Sequence, residues 1–230
     1  MCGIVGYIGN NQAAPFLLDG MSKLEYRGYD SAGIAVYEKG KITVEKCVGR
    51  LDSLRQKLDG HMPEGTMGIG HTRWATHGRP SDRNSHPHTD ASGEFVVVHN
   101  GIIENYLVLK EDLIAKGHKF VSETDTEVVA HLMAAYYDGD FEETVKRVLR
   151  VIDGSYSLVF MCAKEPEKII CTKKDNPLVI GLGEGENFIA SDIPAIIAKT
   201  RRTFIMSDGE IATVTKDSVW VQDINGTPIS

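Results

Sequence analysis

SYSLVFMCA at 155–163, KIICTKK at 168–174, PLVIGLG at 177–183, NFIASD at 187–192, TFIMS at 203–207, EIATVT at 210–215 and SVWVQD at 218–223 follow one another with short breaks. Each is apolar or alternating and rich in β-branched or aromatic side chains, and Gly, Asp or Lys marks the joints, so each reads as a strand. One short helix, over 193–199, is expected to interrupt the series. Parallel pairing needs a crossover of a dozen or more residues, usually a helix, and these joints are too short for that. Most pairing is therefore expected to be antiparallel. Gly181-Leu182-Gly183-Glu184-Gly185 reads as a turn rather than a phosphate cradle, because a strand-like segment follows it and two acids accompany the glycines.

Upstream, strands alternate with helices. GIVGYI at 3–8 reads as a strand, and Ala14, Leu17, Met21 and Leu24 then recur at helical spacing before a turn at Arg27-Gly28. AGIAVYE at 32–38 and KITVEKCV at 41–48 form a hairpin across Lys39-Gly40, followed by a short helix over 52–58 and the strand TMGIGHTRW at 66–74. Residues 75–92, rich in Gly, Pro, His, Ser, Asn and Asp, read as a long polar loop. EFVVVHNG at 94–101 is a strand ending in a turn, and a helix is expected over 103–116, stopped by Gly117. Thr124-Asp125-Thr126-Glu127 fits a capping box opening a helix that carries Val128, Val129, Leu132 and Met133. A last helix over 141–152 places Val145, Val148, Leu149 and Ile152 on one face. Two sheets face to face, with helices on their outer faces, make a layered α+β sandwich in one domain.

The 230 residues carry 25 Lys and Arg against 32 Asp and Glu, a net charge of −7 that is the wrong sign for tracking phosphates. Nucleic acid is not an expected partner. Hydrophobic residues make up 42%, but charges interrupt them well short of the roughly 18 apolar residues a membrane helix needs. MCGIVGYIGN at 1–10 lacks the basic segment and long apolar run of a secretory signal, so no membrane partner and a cytoplasmic address are expected. There, Cys2, Cys47, Cys162 and Cys171 are expected as free thiols. Three of them lie in strand-like segments and read as small buried hydrophobes.

Cys2 is different. Removal of Met1 would leave it first, where one residue carries a thiol and an α-amine whose pKa, about 7.7–8.0, suits it to take a proton from a thiol near 8.5. The alternative, an incidental small residue after Met1, is not decided by position alone.

MCGIVGYIG at 1–9, YRGYDSAGIAV at 26–36, GIGHTRWATHGRPSDRNSHPH at 68–88, VVVHNGIIENY at 96–106 and SETDTEV at 122–128, in that order, resemble the successive motifs of class II glutamine amidotransferases. The resemblance covers essentially all of 1–230 as one such glutaminase domain. It implies the N-terminal-nucleophile hydrolase fold, a four-layer αββα sandwich of two mainly antiparallel sheets. It makes Cys2 the nucleophile, its freed α-amine the base, and the Asn100 side chain with the Gly101 backbone N–H the oxyanion hole. A free amino acid needs a cation for its α-carboxylate and an anion for its α-ammonium. Arg73 and Asp125 match the family residues for those tasks. Trp74, Thr76 and His77 fall on a glutamine lid, and Arg27 and Gly28 in a loop beside the cysteine.

Five of the eight histidines, His71, His77, His86, His88 and His99, lie between 71 and 99, but without paired Cys and His spacing or an HExxH pattern. They are expected to hydrogen-bond within the loop and order it. No metal or organic cofactor is expected. The partners implied are L-glutamine and, by resemblance of HTRWATHG and YRGYDSAG to the hexosamine-forming branch, C-terminal sugar-phosphate isomerase domains. Such domains, absent from 1–230, would use the ammonia to convert fructose 6-phosphate to glucosamine 6-phosphate. An N-terminal-cysteine amidase for another amide, and a silent glutamine-binding module, are the rival readings.

Overall fold

The computed structural model describes residues 2–75 and 78–230; Met1, Thr76, His77 and the side chain of Arg27 lie outside the described residues. The expected loss of Met1, the Thr76 and His77 part of the lid and the Arg27 side-chain role therefore also lie outside them.

In chain order the elements are β1 (Gly3–Gly9), α1 (Ala13–Ser22), β2 (Ser31–Glu38), β3 (Lys41–Val48), α2 (Leu51–Leu58), β4 (Met67–Arg73), β5 (His88–Thr89) and β6 (Phe95–Ile103). Three helices follow, α3 (Tyr106–Ala115), α4 (Glu127–Tyr136) and α5 (Phe141–Val151). The remaining strands are β7 (Gly154–Cys162), β8 (Ile169–Lys174), β9 (Val179–Leu182), β10 (Glu186–Ala190), β11 (Thr203–Ile205), β12 (Ile211–Val214), β13 (Val219–Gln222) and β14 (Pro228–Ile229). One sheet runs β11-β9-β10-β1-β4-β2-β3 and the other β14-β13-β12-β8-β7-β6-β5. Every pairing between these strands is antiparallel, as the short joints require.

The near-continuous apolar strands follow from the layering. Val96 and Val98 of β6 and Val159 and Met161 of β7 face Ile4 and Ile8 of β1 and Ile69 of β4 in a core between the sheets. The alternate residues Phe95, Val97, Leu158 and Phe160 turn the other way, onto α4 and α5. On the opposite side Val5 and Tyr7 of β1 pack under α1, where the Tyr7, Phe16 and Phe188 rings lie 5.0–5.5 Å apart. Each central strand thus feeds two cores, so both faces must be apolar although the pairing is antiparallel, where one wet face is common. The result is the expected αββα sandwich.

Four local expectations are corrected. Strand β6 runs to Ile103, so α3 begins at Tyr106 rather than 103: pairing of Ile102 and Ile103 with Ser155 and Gly154 outweighs helix propensity there. The 193–199 helix shrinks to a 3-10 turn, Ile193–Ala195. The capping box does not form. Thr126 is the N-cap, without a side-chain cap bond, while Glu127 accepts from the backbone of Val121 and Ser122. Glu127 is buried with His131, 2.9 Å away, and its carboxylate goes to the backbone it is buried against. Finally, His71, His88 and His99 sit on β4, β5 and β6 and not within the loop.

Candidate active site

The cleft forms where the two sheets meet. Cys2 immediately precedes β1, and the pairing of Gly3 with Thr72 carries it alongside Arg73, at the end of β4. Across the gap, Asn100 on β6 donates through Nδ2 to the Cys2 carbonyl oxygen at 3.1 Å. Cys2, Arg73, Gly101 and Asp125 line one cleft, together with Trp74, Thr124 and Thr126.

The thiol is held by the backbone. Trp74 N–H donates to Cys2 Sγ at 3.0 Å, and Sγ lies 3.4 Å from the Trp74 carbonyl. Burial pushes the Cys2 pKa up, only partly countered by the Trp74 N–H and the nearby Arg73 charge. The resting group is therefore a neutral thiol, and a nucleophile in this place needs a base. Trp74 is 55% exposed, with its indole over Gly28, where an added Cβ would already stand 3.4 Å from the ring.

Gly101 adopts a left-handed backbone, φ +115°, inside a strand. A side chain there would run into the Ser155 carbonyl and the Asn176 amide, so only glycine fits this conformation. Arg73 is buried, and its Nη2 donates to the Gly78 carbonyl at 2.8 Å, which ties the start of the polar loop to the cleft. Burial disfavours the Arg73 charge, while Asp30 and Asp125 favour it. Asp125 precedes α4; its Oδ2 accepts from Ile103 N–H at 2.8 Å and lies 4.0 Å from His99 Nδ1.

Of the residues expected from the sequence, Cys2, Arg73, Trp74, Gly101 and Asp125 line the cleft, Asn100 adjoins it, and Gly28 lies beneath Trp74. From sequence alone five further groups have no place in the site, and two of them, His86 and His99, are assigned to ordering the loop. Thr124 and Thr126 line the cleft beside Asp125, as do His86 and His99. Asp30 accepts from Ala75 N–H at 2.6 Å, at the start of the polar loop. Asp30 and Thr124 stood within quoted motifs, but nothing in their spacing separates a cleft residue from a turn or cap residue. Lys46 of β3 also escaped notice: it holds the polar loop through the carbonyls of Ser85, at 2.8 Å, and Pro87, at 3.1 Å.

The buried histidines set a pH limit. The His71 and His86 rings stack with centroids 4.1 Å apart, and His88 meets His86 edge-on at 4.6 Å. Burial lowers His71 to about 3 and holds His86 and His88 well below 6.5. All three are neutral in the fold but titrate near pH 6.5 once unfolded. Below that value the unfolded chain binds more protons, so stability that is complete above it is lost as the pH falls. The slope is about 1.4 kcal/mol per pH unit for each histidine, or about 4 for the three. Urea unfolding at pH 7.5 and 5.5 should show a sharply lower midpoint at 5.5; an unchanged midpoint would mean the imidazoles are not buried as neutral groups.

A family model described as a glutamine amidotransferase domain matches residues 71–198. The chain is 57% identical, over its whole length, to the glutamine–fructose-6-phosphate aminotransferase [isomerizing] of Caldanaerobacter subterraneus subsp. tengcongensis and 55% identical to that of Clostridium tetani. It spans 38% of the length of each. Among solved structures it is similar to the glutamine phosphoribosylpyrophosphate amidotransferase from B. subtilis, with a TM-score of 0.84, 26% identity, and coverage of 97% of this chain and 49% of that one. A glutamine aminotransferase class-II domain protein from Silicibacter pomeroyi, TM-score 0.66 at 14% identity, shares the fold.

Proposed function

Because the chain belongs to the glutamine amidotransferase family, we propose that it hydrolyses the side-chain amide of L-glutamine through a Cys2 thioester, releasing glutamate and ammonia. The observation that carries this is the gathering of Cys2, Gly101, Arg73 and Asp125 in one cleft, with the Asn100 amide bonded to Cys2 itself. Two subsites suit a zwitterion, Arg73 for the α-carboxylate and Asp125 for the α-ammonium. Trp74 closes over them, with Thr76 and His77 as the rest of the lid and Arg27 beside it.

With Met1 removed, the Cys2 α-amine takes the thiol proton and the thiolate attacks the side-chain carbonyl carbon. An Asn100 side-chain N–H and the Gly101 backbone N–H hold the oxyanion. The carbon–nitrogen bond breaks as the ammonium returns its proton to the leaving nitrogen, giving ammonia and the γ-glutamyl thioester. Water, deprotonated by the same amine, attacks the thioester; the carbon–sulfur bond breaks, the sulfur is reprotonated, and glutamate leaves.

As in the relatives named for it, we propose that the ammonia aminates fructose 6-phosphate, giving glucosamine 6-phosphate, on sugar-phosphate isomerase domains outside these 230 residues. We assign the protein to the cytoplasm; all four cysteines are free, and among the described residues no helix is long and apolar enough to cross a membrane.

The test is glutamate release from L-glutamine by the untagged chain, with its intact mass showing that Met1 is gone. Turnover supports the glutaminase. Binding of glutamine without turnover supports a silent module, and turnover only of other amides supports a different amidase. Arg73→Lys is expected to raise KM for glutamine roughly 100-fold with little change in kcat, because lysine keeps the charge but loses the two-pronged carboxylate contact. An unchanged KM would remove Arg73 from the carboxylate subsite.

A further inference from the structure

His71, one of the histidines assigned to loop ordering, has no role in the chemistry above. It is completely buried on β4, and its Nε2 lies 3.0 Å from the His99 carbonyl oxygen and 3.0 Å from Asn100 Oδ1. We propose that His71 is a positioning residue, whose Nε2–H spans the two sheets and sets the orientation of the Asn100 amide; this rests on the oxyanion role given to Asn100.

An amide side chain can be turned end for end at almost no cost in shape, so something must decide which end faces the substrate. A backbone carbonyl can only accept. The His99 oxygen therefore requires a proton on His71 Nε2, since a bare nitrogen would set two lone pairs against each other at 3.0 Å. With the proton there, the Asn100 end nearest His71 must be the acceptor Oδ1, which turns Nδ2 toward Cys2 and the cleft. The Cys2 carbonyl, accepting from Nδ2 at 3.1 Å, makes the same demand from the opposite side.

The ring cannot easily reverse its roles. His71 Nδ1 is buried without a hydrogen-bond partner, so moving the proton to it would strand a donor as well as undo two bonds. Stacking of the His86 ring at 4.1 Å fixes the plane, and burial keeps the imidazole neutral. His71 thus differs from an acid or base: it keeps one proton on one nitrogen throughout the cycle.

A double-mutant cycle with the 230-residue chain separates positioning from mere support. His71→Asn is too short to reach Asn100, whereas the longer amide of His71→Gln can place a donor near the native Nε2. Removal of one oxyanion donor typically costs 10²–10³ in kcat, and His71→Asn is expected to lose roughly 100-fold in kcat with KM for glutamine within about threefold of wild type. His71→Gln should recover to within about fivefold of wild type. In an Asn100→Ala background, His71→Asn should cost less than about threefold, since there is no amide left to orient.

Equal losses in both backgrounds, or a loss confined to KM, would overturn the positioning role. Should the variants not fold, nitrogen-15 spectra of wild-type histidines still decide: protonated Nε2 and bare Nδ1 at His71 from pH 8 to 5 are expected, and the opposite tautomer overturns the proposal. A wild-type chain lacking Met1 that releases no glutamate sinks the glutaminase itself; an active wild type with additive losses sinks only the part played by His71.

Discussion

Replacing Cys2 with alanine is expected to lower glutamate release by about 10⁴-fold or more while leaving glutamine binding within a few-fold of wild type. Loss of a covalent nucleophile removes the two-step route altogether, and what remains is water held in an oxyanion-stabilising cleft. No other thiol lines the cleft among the described residues: Cys47 sits on β3, and Cys162 and Cys171 are buried, with burial raising the pKa of both. Binding should survive, since Arg73 and Asp125 are placed by β4 and by the turn before α4 and not by the sulfur. Calorimetric titration with L-glutamine beside an assay for glutamate separates the two quantities. Residual turnover within tenfold of wild type would show that the thioester is not on the path.

Retention of Met1 is the second large effect, expected at roughly 10² to 10⁴-fold, the usual worth of a positioned general base. With Met1 attached, the Cys2 nitrogen becomes an amide with no basic lone pair, while the thiol, its pKa raised by burial, still needs its proton taken. Among the described residues the cleft offers no good substitute: His99 lines it but is buried, with its Nδ1 2.8 Å from Thr126 Oγ1. His86 also lines the cleft, but burial holds that imidazole well below 6.5, too weak a base to ionise a thiol at neutral pH. Expression behind a cleavable tag that ends before Cys2 gives both states from one preparation: activity should be near zero with the tag and appear after cleavage, followed by intact mass. Equal turnover before and after would mean that the base lies elsewhere.

Much of the fold could be read along the chain because its determinants are local. Short joints between apolar segments dictate antiparallel pairing, and the spacing of Val145, Val148 and Leu149 reports the one face that α5 buries. The misjudged boundaries have non-local causes. Ile102 and Ile103 follow an Asn-Gly pair that signals a turn, yet β7 lies alongside to extend the strand to Ile103. Thr124 and Glu127 have the spacing of a capping box, but Thr124 hydrogen-bonds His88 at 3.0 Å and Glu127 turns to the backbone of Ser122 at 2.6 Å.

By itself the sequence determined the layer order, the antiparallel pairing and the residue types offered to the site: a cysteine at position 2, an arginine, an Asn-Gly pair and an aspartate. These follow from period, turn chemistry and motif, which neighbouring residues carry together. Tertiary structure decided the rest: that Cys2 rests on the Trp74 backbone, that Asp125 is pinned by Ile103, and that His71 holds the Asn100 amide. Those contacts join residues 22 to 72 positions apart: Cys2 and Trp74 flank neighbouring strands of one sheet, Ile103 ends β6 and Asp125 precedes α4, and His71 and Asn100 lie on facing sheets. A hydrogen bond acts over about 3 Å, so its partner is chosen by how strands and helices pack and not by separation along the chain.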